Sequence, residues 1–208
     1  VGVAITDGTQ EILMLSNAGK AVRFKETDVR AMGRTARGVR GIRLGEGQRV
    51  ISLIIPEENG AILTASERGY GKRTLVTEFP TKGRGTQGVI AMVTSERNGA
   101  LVGAVQVFEG DEVMLVSDQG TLVRTRTSEV SLLGRNTQGV TLIRIADKEK
   151  LVGVERICDP DEDELVIDGV VVDGEASEME SGLVDNADDS VMDDDASDSE
   201  GDEEGDAE

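Results

Sequence analysis

The sequence predicts an all-β fold built from repeated four-stranded units, and three observations support this prediction. The motif G-R-x-[T/A]-[Q/R]-G-V occurs at residues 33–39, 83–89 and 134–140, which gives a period of about 50 residues. Each period contains four short segments rich in β-branched and other apolar residues. Helical periodicity is nearly absent, and residues 24–32 allow at most one turn. Four strands in about 50 residues are typical of one unit of a radial β array.

Each repeat begins with a predicted β-hairpin. The first strands end in serine and are predicted at 12–16, 61–66 and 113–117. Turns follow that contain Gly19, Gly69 and Gly120, which again lie 50 and 51 residues apart. The returning strands are predicted at 21–25, 74–77 and 122–126.

The repeated motif leads from each hairpin into two further strands. The third strand follows the last glycine of the motif, as at 139–145. The fourth strands are predicted after another turn, at 48–55, 100–107 and 150–157. Each repeat thereby supplies the four strands of one predicted sheet.

Charge divides the chain into two predicted parts. All 22 Lys and Arg lie within residues 1–157, which contain only 18 of the 41 Asp and Glu. Residues 158–208 hold the other 23 acidic side chains and no basic one. Such a composition cannot bury enough apolar surface to fold, so we expect a disordered acidic tail after a β array at 1–157. A basic domain with an acidic tail is typical of nucleic-acid binding.

Basic side chains recur on the second strand of each hairpin. Apolar and basic residues alternate over 22–25, so a period of two predicts that Arg23 and Lys25 face away from the core. The corresponding regions of the other repeats carry Lys72, Arg73, Arg124 and Arg126. A radial array would place these side chains along a continuous rim that can follow the phosphates of a bent DNA duplex.

The strand residues and the motif loops together form the predicted DNA-binding surface. Two alternatives stay open: ordinary solvated charges, and motif arginines that bond loop carbonyl groups instead of DNA. The candidate DNA-binding residues are Lys20, Arg23, Lys25, Arg34, Arg37, Lys72, Arg73, Lys82, Arg84, Arg124, Arg126 and Arg135.

The sequence does not indicate a catalytic site, a metal site or a membrane-spanning segment. There is no histidine, which excludes a Ser-His-Asp or Cys-His arrangement, and no Walker A motif is present. The single cysteine, Cys158, excludes an internal disulfide and fits a reducing compartment. No apolar run approaches the roughly 18 residues that would span a membrane.

The segments "LSNAGKAVRFKETDVRAMGR", "GYGKRTLVTEFPTKGRGTQGVI" and "GTLVRTRTSEVSLLGRNTQGV" resemble the C-terminal DNA-wrapping domain of bacterial DNA gyrase A subunits. The resemblance extends over about residues 1–157. It implies a β-pinwheel, a propeller-like ring of four-stranded blades that wraps double-stranded DNA without sequence preference. It also implies a cytoplasmic, ATP-driven type II topoisomerase that introduces negative supercoils, with two A and two B subunits.

The chain departs from the family pattern in ways that predict a non-catalytic fragment. The Q-R-R-G-G-K-G box of the family's first blade is absent, and Tyr70 lacks the context of a catalytic tyrosine. The chain begins with Val1 inside an apparent strand, so we expect a fragment that holds roughly half of a pinwheel. ATP and Mg²⁺ are implied for the parent enzyme at sites elsewhere, and no cofactor is expected here.

The sequence leaves two alternative functions open. One is the A-type subunit of topoisomerase IV, a relative whose pinwheel is shorter and lacks a true box. The other is a non-enzymatic β-propeller interaction module. Such a module usually offers aromatic anchors to a protein partner, whereas Phe and Tyr total four here and Trp is absent.

Removal of the tail tests whether its charge opposes DNA binding. A flexible chain of 51 residues has a root-mean-square reach of roughly 40 Å, so the 23 acidic groups could compete with DNA for the predicted rim. We expect truncation after Ile157 to tighten DNA binding at low salt, with a gain that shrinks as salt screens the charges. Unchanged affinity at low salt would leave the tail a solubilising role only.

Overall fold

The computed structural model describes residues 2–158 and confirms the all-β prediction. Three 3-10 turns, at Glu26–Asp28, Val76–Glu78 and Thr127–Glu129, are the helical elements of the described residues. The predicted tail beyond Cys158, with its expected disorder, lies outside the described residues. The strands are β1 (Glu11–Ser16), β2 (Lys20–Lys25), β3 (Val50–Ile54), β4 (Ala61–Ser66), β5 (Tyr70–Leu75), β6 (Val89–Ile90), β7 (Leu101–Val107), β8 (Glu112–Ser117), β9 (Leu122–Arg126), β10 (Val140–Thr141) and β11 (Leu151–Ile157).

The strands of residues 2–158 form three antiparallel sheets, one centred on each repeat. Their orders are β3-β1-β2-β6, β7-β4-β5-β10 and β11-β8-β9. The predicted hairpins β1-β2, β4-β5 and β8-β9 form the centres of these sheets. The fourth strand of each repeat pairs back on the first, as predicted for β3, β7 and β11.

The short motif strands do not join the sheet of their own repeat. β6 belongs to the second repeat but pairs with β2 of the first, with Val89 opposite Ala21. β10 of the third repeat likewise pairs with β5 of the second. The prediction that each repeat builds its own complete sheet is therefore wrong. The motif strand at 139–145 is also shorter than predicted, because the chain crosses here from one sheet to the next and pairs only over Val140–Thr141.

Apolar side chains from consecutive sheets pack against each other. Leu13 and Leu15 of the first sheet contact a cluster that includes Ile62, Val76 and Phe79 of the second repeat. A second cluster joins the second and third repeats and includes Leu63, Val113, Leu115 and Leu151. All nine of these side chains are fully or almost fully buried. Each sheet is thus covered by its neighbour, as in other repeat proteins.

The last glycine of the motif allows the motif strand to cross the preceding sheet. Gly88 has φ of +73°, and a Cβ placed on it would lie 2.0 Å from the carbonyl oxygen of Ala21. Gly139 has φ of +76°, and its Cβ would lie 2.6 Å from the oxygen of Gly71. Only glycine avoids both the left-handed strain and the contact with backbone. The equivalent Gly38 has φ of +79° but has nothing within 4 Å of its Cβ position.

Alanine at Gly88 tests the strand exchange, with Gly38→Ala as the matched control. Both variants incur the cost of about 1–2 kcal/mol for a left-handed alanine. Gly88→Ala must also displace β6 from β2, so we expect its free energy of unfolding to fall clearly further, as measured by urea denaturation. Equal losses in the two variants would show that the crossing does not depend on close approach of the two backbones.

Candidate nucleic-acid interface

Arg23 lies between the first and second sheets, not at the surface. The side chain is 8% exposed, and its Nη1 donates to the carbonyl oxygens of Val76 and Phe79, both at 3.2 Å. It also forms ion pairs with Glu11 and Glu58. The prediction that Arg23 faces solvent is wrong, because the second repeat covers the face of β2 that an isolated sheet would expose.

Arg73 makes the equivalent contact one repeat later. It sits opposite Leu63 in the hairpin, as Arg23 sits opposite Leu13. Its Nε donates to the carbonyl oxygen of Val130 in the third repeat at 2.8 Å. Both arginines therefore reach forward and bond the segment at the 3-10 turn of the following repeat.

Arg124 holds the same position in the third repeat but has a different environment. Its side chain is 58% exposed and pairs with Glu112. No following repeat lies within the described residues to cover it. Arg126 is 74% exposed and lies 3.9 Å from the same carboxylate. The predicted outward orientation thus holds for Arg124 and Arg126.

The motif arginines reach backward to the preceding repeat. Arg84 donates from Nε to the carbonyl oxygen of Asp28 at 2.9 Å and from Nη1 to that of Arg40 at 3.2 Å. Arg135 donates from Nη1 to the carbonyl oxygen of Ile90 at 3.0 Å. Arg40 and Ile90 are equivalent positions, so the two contacts repeat. The alternative in which motif arginines bond loop carbonyl groups therefore describes Arg84 and Arg135.

Lys72 is fully buried, so its predicted place on a solvent-exposed rim is also wrong. Its position corresponds to Val22 in the first repeat, one residue before the arginine that reaches forward. The ammonium group donates to the carbonyl oxygens of Gly134 and Arg135, each at 2.6 Å. Burial lowers the pKa of Lys72 from 10.5 to about 8; Glu78 acts in the opposite direction, and the Arg135 charge adds to the lowering.

The other sequence-predicted cations lie at or near the surface. Lys20 is half-buried at the start of β2. The exposed members are Lys25, Arg34, Arg37 and Lys82. Together with Arg124 and Arg126 they are the predicted DNA-binding residues that lie at the surface.

Four exposed arginines of the first repeat are absent from the residues predicted from sequence. They are Arg30, Arg40, Arg43 and Arg49. The prediction rests on the second hairpin strands and the repeated motif, and these four arginines lie outside both. A usable signal was present, since residues 29–45 contain five arginines and no Asp or Glu. We call this segment the arginine loop.

Within residues 2–158, no group of three or more Asp, Glu, Cys or His side chains could hold a metal ion. A surface cleft near Tyr70 is lined by residues of both charges, among them Glu67, Arg97, Glu149 and Lys150. The described segment also contains no helix long and apolar enough to cross a membrane.

The family model of the DNA gyrase C-terminal domain, described as a beta-propeller, matches residues 10–57, 61–107 and 111–158. These three matches coincide with the three sheet-forming repeats.

Curated relatives include the DNA gyrase A subunit of Pseudomonas aeruginosa, 66% identical over 160 residues that cover 77% of this chain and 17% of the relative. The DNA gyrase A subunit of Escherichia coli K12 is 57% identical over 177 residues, which cover 84% of this chain and 20% of the relative. The chain thus spans about a fifth of the length of these relatives.

Solved structures show the same architecture. A DNA gyrase A C-terminal domain superposes with a TM-score of 0.67 at 32% identity, over 72% of this chain and 51% of that domain. A topoisomerase IV C-terminal domain superposes with a TM-score of 0.70 at 23% identity, over 75% of this chain and 49% of that domain. The second similarity demonstrates the fold alone.

Substitution of Arg23 and Arg124 tests how burial changes the role of equivalent residues. Arg23→Met removes the hydrogen bonds to two carbonyl oxygens and the ion pair with the partly buried Glu11. We therefore expect a loss of about 3–5 kcal/mol in the free energy of unfolding. Arg124→Met removes an exposed ion pair and should cost at most about 1 kcal/mol. Urea denaturation of both variants measures the difference, and similar losses would contradict an inter-repeat role for Arg23.

The buried Lys72 predicts a specific dependence of stability on pH. Between pH about 8 and 10.5 the unfolded chain holds a proton on this lysine that the folded chain has released. Raising the pH through this window therefore removes an advantage of the unfolded state, and the contribution of Lys72 to stability rises. We expect the free energy of unfolding to increase for the unmodified chain relative to Lys72→Met between pH 7.5 and 10. A pH-independent difference would show that the lysine has an ordinary pKa.

Proposed function

We propose that this chain, which belongs to the family of DNA gyrase C-terminal β-propeller domains, binds double-stranded DNA and bends it around its array of sheets. The family match and the curated relatives favour gyrase over topoisomerase IV, whose solved domain is less similar in sequence. This fold accounts for both the recurring motif and the strand exchange. No further observation favours the alternative of a protein-binding propeller.

The observation that carries the proposal is the presence of exposed cations in every repeat. Lys25 and Arg37 belong to the first repeat, Lys82 to the second and Arg126 to the third. Residues 1–157 also carry more Lys and Arg than Asp and Glu. Phosphate groups recur along DNA at short intervals, so cations spread over consecutive sheets suit a long segment of backbone.

The aromatic residues favour duplex DNA over a single strand. Proteins that hold single strands usually stack bases on exposed aromatic rings. Phe24 and Phe79 are buried here. Arg97 lies over the ring of Tyr70 at 4.9 Å, and Arg156 lies over Phe108 at 4.7 Å. These are all the aromatic residues of the chain, so none offers an open platform.

Within the parent protein we propose the role that the family name indicates. The chain would form part of a cytoplasmic type II topoisomerase assembled from two A and two B subunits, and it would belong to the A type. DNA bent around this domain would be presented to the rest of the enzyme for ATP-dependent negative supercoiling. ATP and Mg²⁺ would bind outside this chain, which contributes DNA contacts and no catalytic group.

Salt dependence and DNA topology test this function together. With about five phosphate contacts, the logarithm of the affinity should fall against the logarithm of the salt concentration with a slope near −4 to −5. Duplexes of different sequence should bind with similar affinity, because phosphate contacts carry no sequence information. Wrapping should also change the linking number of a nicked plasmid that is sealed in the presence of the chain. Affinity independent of salt, or an unchanged linking number, would contradict DNA wrapping by this chain.

A further inference from the structure

We propose that the arginine loop, residues 29–45, is the principal DNA anchor of this chain, so that DNA contacts are strongest at the first repeat. The inference rests on the proposed function and assigns its main site. It predicts that the repeats contribute unequally to DNA affinity, in contrast to a rim on which each repeat contributes equally.

The arginine loop differs in charge from the equivalent loops of the other repeats. Arg30, Arg37 and Arg40 have no basic counterparts there. The second repeat carries Pro80, Gln87 and Ile90 at these positions, and the third carries Ser131, Gln138 and Thr141. The arginine loop holds five arginines, whereas residues 79–95 hold Lys82 and Arg84 and residues 130–146 hold Arg135 and Arg144.

The arginines of this loop are also free to bind a ligand. All five are exposed. Within residues 2–158, none of their guanidinium groups forms an ion pair or hydrogen bond with the protein. The motif arginine Arg34 differs here from Arg84 and Arg135, whose guanidinium groups already bond carbonyl oxygens. An exposed guanidinium without a carboxylate partner does not have to break an existing ion pair when it binds a phosphate. It can bind the phosphate in a bidentate manner.

The backbone of the arginine loop is fixed by the second repeat. The amide of Arg43 donates to the carbonyl oxygen of Thr86 at 2.8 Å, and the amide of Gly85 donates to that of Gly41 at 2.5 Å. Arg84 adds its two bonds to the carbonyl oxygens of Asp28 and Arg40. A loop held in this way loses less conformational freedom on binding, which leaves more of the electrostatic attraction as affinity.

Small residues leave the loop open to a DNA backbone. Gly33 and Gly38 have nothing within 4 Å of their Cβ positions. The surface beside these glycines is therefore unobstructed, and a phosphate could approach the main chain closely. The charge, exposure, fixed backbone and open glycines occur together at this loop.

A charge-matched pair of triple variants tests the inference. The loop variant, Arg30→Ser with Arg37→Gln and Arg40→Thr, introduces the residues that the third repeat carries at these positions. The control, Arg144→Gln with Lys148→Gln and Lys150→Gln, removes the same charge from exposed positions of the third repeat. Fluorescence anisotropy with a labelled duplex measures affinity over a range of salt concentrations, and thermal melts check that both variants fold.

We expect the loop variant to lose more than about tenfold in affinity at ~0.1 M salt and to flatten the salt slope by about 2.7, from three lost phosphate contacts. The control should change affinity less than about threefold. Equal losses in the two variants would overturn the inference and leave the proposed function standing. Failure of the unmodified chain to bind DNA would overturn the proposed function and the inference with it.

Site-specific cross-linking locates the DNA without relying on loss of charge. In a Cys158→Ser background, a photoreactive group is attached to Thr35→Cys in the arginine loop or to Asn136→Cys, the equivalent position of the third repeat. Both loops are at the surface, and neither substitution changes the charge. The inference requires a clearly higher yield of DNA cross-links at position 35. Equal yields, or a higher yield at position 136, would overturn it.

Discussion

The exchange of short strands between consecutive repeats is the constraint on which the rest of this structure depends. Because β6 and β10 complete the sheet of the preceding repeat, each sheet must lie directly against the next one. The contact leaves no room for a side chain at Gly88 or Gly139, whose positive φ angles and crowded Cβ positions explain the last glycine of the motif. The same contact buries the face of β2 and β5 that an isolated hairpin would expose. The charged face of a strand that looks amphipathic within one repeat is therefore buried between two sheets in the array.

Burial between repeats divides the basic residues into two groups. Arg23 and Arg73 reach forward to carbonyl oxygens of the next repeat, and Arg84 and Arg135 reach backward to those of the previous one. A guanidinium suits this task, because its several donors in a fixed planar arrangement can bond more than one carbonyl oxygen. The cations available to a polyanion are mainly those that do not recur, as in the arginine loop. In this chain, four of the six arginines at the two recurring positions bond carbonyl oxygens of another repeat, whereas Arg34 and Arg124 are exposed.

The sequence allowed the period, the three hairpins and the turn glycines to be predicted, since each depends on residues close together in the chain. The pairing of β6 with β2 could not be predicted in this way. Alternation with period two shows which side chains share a face of a strand, but it does not show what covers that face. For this reason the sequence predicts Arg23 and Lys72 at the surface although both are buried, whereas Arg126, on the corresponding strand of the third repeat, is exposed as expected. The arginine loop is visible in the sequence as a run without acidic residues, and Arg34 and Arg37 of this loop are among the predicted residues. The other three arginines of the loop lie outside the hairpin strand and the motif on which the prediction rests.

Lys72 is a buried residue that supports a loop at the surface of the array. The position takes valine in the other two repeats. In the second repeat the position holds Lys72, whose ammonium group donates to two consecutive carbonyl oxygens, of Gly134 and Arg135. These bonds fix the motif loop of the third repeat from its buried side. Burial opposes the charge, as the lowered pKa indicates, while the two short bonds and Glu78 favour it. The lysine therefore acts from the interior, since it holds the loop that carries Arg135 and does not reach the surface itself. A lysine that the sequence predicts to bind DNA is thus, in the structure, a support for a neighbouring loop.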